Sequence, residues 1–111
     1  MSFLLSVYDC IHGRPAEGVV VHVEGQAGQT WQEILRGRTD EHGQFTVRND
    51  GPMLGHGVYR VEFDVDHYYA TLGIEPMFPR VILALRIDDP AEWHDVSLLV
   101  MPNAYAAYRT K

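Results

Sequence analysis

The chain is poor in cysteine: Cys10 stands alone among 111 residues, which excludes an internal disulfide framework and suits a reducing compartment. Positive charge is also in deficit. Nine Lys and Arg face fifteen Asp and Glu, for a net charge of −6, so there is no general basic surface to attract nucleic acid or an anionic membrane. No apolar run approaches the roughly 20 residues that a helix needs to span a bilayer. Residues 1–6 carry no basic residue ahead of their apolar stretch, so no secretory leader is expected and the cytoplasm is the expected location. No pair of histidines has the helical spacing of a zinc site, and Cys10 lacks companions. The Asp64-Val65-Asp66 stretch lacks the glycine and terminal glutamate of a calcium loop. Neither a metal nor a cofactor is expected.

What is present is the composition of one folded domain spanning residues 1–111. A hydrophobic fraction of 46% with 22% charged residues is enough to build a core and too ordered a mixture for a disordered chain. Short apolar stretches alternate with turn signals, the signature of an all-β sandwich. Strands are expected over residues 3–9, 19–23, 30–35, 44–48, 58–65, 80–87, 95–101 and 105–109. The valines at 19, 20, 21 and 23 suit a central strand. Gly37 is expected to break the third strand, and Glu41-His42-Gly43 to form a hairpin turn into the fourth. In residues 58–65, Tyr59, Val61, Phe63 and Val65 alternate with Val58, Arg60, Glu62 and Asp64, which predicts a half-buried strand. One short helix is expected over 66–73, capped by Asp66 and closed by Gly73. Asp88-Asp89-Pro90 reads as a turn.

The tail is unusual. Val96 to Met101 reads as a strand, Pro102-Asn103 as a break, and Tyr105 to Arg109 as a second strand with its tyrosines three apart. Termini usually fray; an aromatic end bearing an arginine predicts one that docks and lines a site. This block resembles the closing Tyr-Ser-Thr-Tyr-Arg-Gly-Ser segment of the transthyretin-like family, which includes 5-hydroxyisourate hydrolases. Tyr108-Arg109 matches, and Thr110-Lys111 replaces Gly-Ser. The resemblance runs through Val7-Tyr8-Asp9 with Gly13-Arg14-Pro15-Ala16, then Gly37-Arg38-Thr39-Asp40, Gly57-Val58-Tyr59-Arg60, and Phe78-Pro79-Arg80-Val81. It implies a two-sheet β-sandwich of about eight strands with a short helix between the fifth and sixth. It also implies a homotetramer, a dimer of dimers, with sites in the channel between dimers.

The hydrolase branch of that family carries one histidine on the first strand, an arginine in the Gly-Arg-Thr block, and a second histidine on the penultimate strand. The chemistry accounts for these types: opening a strained cyclic ureide with water needs a base near neutral pH and a cation for the developing oxyanion. Here the arginine position is Arg38, the first histidine position is Ser6, and the second is Asp95. Three readings follow. Asp95 is the base, with Ser6 orienting water and Arg38 anchoring the oxyanion or substrate. Alternatively, a one-residue bulge turns His94 toward the channel in its place. In the third, the pocket binds a ligand without turning it over. Arg109, Tyr108 and Lys111 are expected to contact substrate at the rim, with His94 beside them.

The function implied is hydrolysis of a small cyclic amide or ureide related to 5-hydroxyisourate, in purine or heterocycle breakdown; the alternative is a non-catalytic small-ligand binder using the same channel. His12, His42 and His56 sit in glycine-containing turns and are expected to be solvated. His22 and His67 are expected to be packed or capping, Cys10 a turn thiol, and Trp31 and Trp93 core or interface residues. Tyr105 and Tyr108 are expected near a subunit boundary.

Overall fold

A computed structural model describes residues 2–48, 56–88 and 93–110. It is a β-sandwich of two sheets. The first contains β1 (Ser2–Asp9), β2 (Arg14–Pro15), β5 (Gln44–Arg48), β8 (Trp93–Met101) and β9 (Ala104–Arg109). The second runs in the order β4 (Thr30–Arg38), β3 (Val20–Ala27), β6 (Gly57–Asp64) and β7 (Arg80–Ile87). β1 pairs along its length with β8 in parallel, while its other edge is shared by β5 and the two-residue β2, both antiparallel. The helix α1 (Val65–Ala70) follows β6 directly.

Alternation drives the packing, because a strand turns successive side chains to opposite faces. Phe3, Leu5 and Val7 of β1 and Leu98 and Val100 of β8 are buried. They meet Val21 and Val23 of β3 and Tyr59, Val61 and Phe63 of β6, the face expected to be apolar. The valine-rich segment is indeed central, flanked by β4 and β6.

The sandwich differs from expectation in four places. β2 adds a short strand to the eight. β4 continues through Gly37 to Arg38, because the glycine serves packing: a Cβ there would overlap the ring of Phe45 from the facing sheet. The turn at 41–43 is no hairpin. It carries the chain from β4 in one sheet to β5 in the other, where β5 pairs with β1. Finally, the helix begins earlier than expected, with Asp64 as its cap: its carboxylate accepts the His67 amide hydrogen at 3.0 Å. Asp66 lies in the first turn, where negative charge complements the helix dipole. The turn at Asp88-Asp89-Pro90 extends outside the described residues.

A buried polar cluster ties α1 to the end of β1. Asp9 has no exposed surface, and its carboxylate accepts hydrogens from the Ile11 amide at 3.0 Å and the His12 amide at 3.1 Å. The His12 ring donates from Nδ1 at 2.7 Å and the Tyr68 hydroxyl at 2.7 Å, with the Tyr69 hydroxyl more distant at 3.4 Å. Burial alone would raise the Asp9 pKa, but the Tyr68 and His12 hydrogen bonds outweigh it and hold the carboxyl below its ordinary value. Burial beside this anion pushes Tyr68 up to about 12 and Tyr69 also upward. His12 is exposed, as its turn suggested, and its ring is also a partner of a buried charge.

Candidate active site on the outer face of the five-stranded sheet

The face of the first sheet that points away from the core is a polar surface laid out by register. Gln44 of β5 stands opposite Ser6 of β1, Ser6 opposite Ser97 of β8, and Ser97 opposite Tyr108 of β9. These four form one row across four strands, about 14 Å long at the usual strand spacing. All four line a cleft of about 380 Å³, together with Tyr8, Leu99, Pro15 and His42. In the next row along, Asp95 stands opposite Leu4, on the same face as Ser97 because two residues separate them. Asp95 is half-buried, and its Oδ1 is buried with no hydrogen-bond partner among the described residues.

His94 faces the other way. It is 7% exposed, on the interior side of β8, and its Nε2 has no hydrogen-bond partner among the described residues. The pairing of β1 with β8 is unbroken from Trp93 to Val100, so the bulge that would have turned His94 outward is absent. The physical reason is parity: in an even register, Asp95 and Ser97 share the outer face and His94 shares the core face with Leu98.

The remaining expected residues are dispersed. Arg38 ends β4 opposite Val20 in the second sheet, is exposed, and does not line the cleft. Its neighbour Thr39 is structural: the buried hydroxyl accepts the Val19 amide hydrogen at 2.9 Å and donates to the Ala16 carbonyl at 2.7 Å. Arg109 stands opposite Val96 and lines a separate apolar cleft of about 290 Å³ between β7 and β9. Tyr108 borders both clefts. Lys111 lies outside the described residues. A single chain therefore brings Ser6 and Tyr108 together, sets Asp95 one row away, and leaves Arg38, Arg109 and His94 elsewhere.

Ser97, Gln44 and His42 are among the cleft residues that escaped the sequence reading. Ser97 was legible, since it shares Asp95's parity on a strand. Gln44 required the pairing of β5 with β1, which crosses between sheets. His42 read as a solvated turn residue, and its side chain is indeed 72% exposed, yet the turn folds back over β1 and sets it at the cleft. That turn is tightly held. Asp40 Oδ1 accepts the amide hydrogens of His42 at 2.8 Å and Gln44 at 2.9 Å. The Gln44 bond, then the His42 bond, keeps the Asp40 carboxyl below its ordinary pKa. The Val7 amide donates to the Gly43 carbonyl at 2.8 Å.

Residues 4–110 match the sequence profile of the HIUase/Transthyretin family. The chain belongs to that family. It is 30% identical over 110 residues to the 5-hydroxyisourate hydrolase of Salmonella typhi, covering 97% of this chain and 81% of that protein. The fold superimposes on crystal structures of transthyretin from Sparus aurata and of sea bream transthyretin in complex with thyroxine. For each the TM-score is 0.86 at 26% identity, over 97% of this chain and 95% and 93% of theirs, respectively. The HIUase/Transthyretin family thus includes both a hydrolase and a ligand-binding protein on one sandwich, as the tail and the Gly-Arg-Thr block implied. Described residues hold no group of three or more His, Cys, Asp or Glu side chains positioned for a metal.

Proposed function

We propose that this chain is a hydrolase that opens a small cyclic ureide or amide related to 5-hydroxyisourate, at the outer-face cleft. The observation that carries the reading is the polar row Gln44-Ser6-Ser97-Tyr108 with Asp95 beside it. A flat ring edged with N–H and C=O groups suits such a row, since donors and acceptors stand at regular spacing along it. Asp95, whose Oδ1 is an unused acceptor among the described residues, takes a ring N–H or the attacking water. Ser6 and Ser97 orient that water, and Tyr108 borders the ring. In hydrolysis, water oxygen bonds to the ring carbonyl carbon, the C–N bond breaks, and the nitrogen leaves carrying a proton. Arg38 enters through assembly: it stands outside the cleft of a single chain, and a homotetramer is the arrangement that would deliver it to stabilise the oxyanion.

Turnover of freshly generated 5-hydroxyisourate, followed by its ultraviolet decay against a buffer blank, tests this. Asp95→Asn, Ser6→Ala and Arg38→Ala are each expected to lower kcat/KM by about a hundredfold. Undiminished activity in all three would sink the assignment.

The second reading is a ligand carrier. It is favoured by the apolar part of the cleft, Tyr8, Leu99 and Tyr108, and by a relative solved with thyroxine. Thermal stabilisation by a ligand with no product formed would select it.

A further inference from the structure

We infer that His42 is the proton acceptor of the outer-face cleft, supplied by the turn between the sheets instead of by a strand. This rests on the hydrolase reading of the same cleft. Water must lose a proton as it adds to a carbonyl, and near neutral pH the acceptor works best when it titrates close to the operating pH. Imidazole is the side chain that ordinarily does so. Among the described lining residues, His42 is the one imidazole.

The backbone beneath His42 is held while its ring is largely exposed. Gly43 sits with φ at +72°, and a Cβ there would overlap the Val7 carbonyl oxygen and approach the Ala16 nitrogen to 3.1 Å. The turn is therefore pressed onto β1 at the strand that carries Ser6, and the Asp40 carboxylate holds its amides from the other side. The ring itself, largely exposed, can swing onto a bound substrate at little cost in packing. The titratable groups facing it are Asp40 and Glu41 on its own turn, Tyr8 from β1 and Tyr108 from β9. Glu41 Oε1 lies 3.6 Å from His42 Nε2, placed to stabilise the imidazolium.

The step balances without another reactant. A water proton passes to the free imidazole nitrogen as the water oxygen bonds to the ring carbonyl carbon. The C–N bond then breaks, the departing nitrogen takes the proton from His42, and the imidazole returns neutral.

The test is the pH profile of kcat/KM for 5-hydroxyisourate in the full chain, His42→Gln, Ser6→Ala and a surface control, His22→Gln. The unmodified chain and His22→Gln are expected to lose activity as pH falls through the imidazole range. His42→Gln is expected to lack that limb and to be about a hundredfold slower at pH 8, with an unchanged melting temperature. A His42→Gln variant that keeps both rate and limb while Ser6→Ala loses rate would overturn this inference and leave the hydrolase reading standing. Absence of turnover in the unmodified chain would overturn both.

Discussion

Asp9 shows how one residue can determine two limbs of a stability profile. A carboxylate without exposed surface is costly to bury unless donors replace water, and here two amides, an imidazole and a tyrosine hydroxyl do so at 3.1 Å or less. Its native pKa lies below the unfolded value. Its contribution is therefore complete above the ordinary carboxylate range and is lost as pH falls through the native value. Tyr68 has the opposite sign: raised to about 12, it contributes fully below the ordinary phenol range and loses that contribution as pH rises through about 12. Asp9→Ala strands the Tyr68 hydroxyl and the His12 ring, and urea unfolding at pH 7 is expected to show a loss of about 3 kcal/mol or more. The variant's stability should also lack the decline that this group causes as pH falls below the ordinary carboxylate range. An unchanged urea midpoint would refute the account.

Among the elements, the turn at 39–43 links fold and site. Thr39 hydrogen-bonds the start of β3 and the chain after β2, Asp40 bonds its own amides, and Gly43 bonds β1. Gly43→Ala brings both a left-handed backbone cost and a clash with the Val7 carbonyl. A loss of about 2 kcal/mol is expected by chemical denaturation. Turnover is expected to fall as well, because His42 and Gln44 flank the displaced residue. Stability and turnover equal to those of the unmodified chain would show that the turn does not hold the site. The helix is a simpler element. Its six residues are too few to persist alone, so it stands because Tyr69 and Val65 are buried against the sandwich and Tyr68 reaches Asp9.

For the whole molecule, the open edges matter most. β7 closes one sheet and β9 the other, with no further strand beyond either among the described residues, and both border one apolar cleft. Exposed edges invite pairing with another chain, and Ile82 and Tyr108 are 51% and 50% exposed there. We expect light scattering to give the mass of a tetramer, consistent with the assembly proposed to bring Arg38 to the site. Ile82→Lys on β7 is expected to shift the mass toward smaller species while leaving the circular dichroism unchanged. A monomeric mass for the unmodified chain would remove Arg38 from the proposal.

The sequence by itself determined the class of fold, its family and most strand positions. Alternation at 58–65 and the valines near 20 are local patterns, and local patterns record which face a residue buries. It set Asp95 and Ser97 two apart on one strand, but left open a bulge at His94, and only the unbroken pairing with β1 put both on the outer face. It misplaced Gly37, because what excludes a side chain there is Phe45 in the other sheet. It misread the 41–43 turn, because turn residues mark where a chain reverses and not which sheet it enters next. Only the tertiary structure decided that β5 pairs with β1, that Tyr68 and Tyr69 of α1 reach Asp9, and that His42 and Ser6 line one cleft. Each of these depends on contacts between segments distant in sequence, for which a single chain carries no periodic signal.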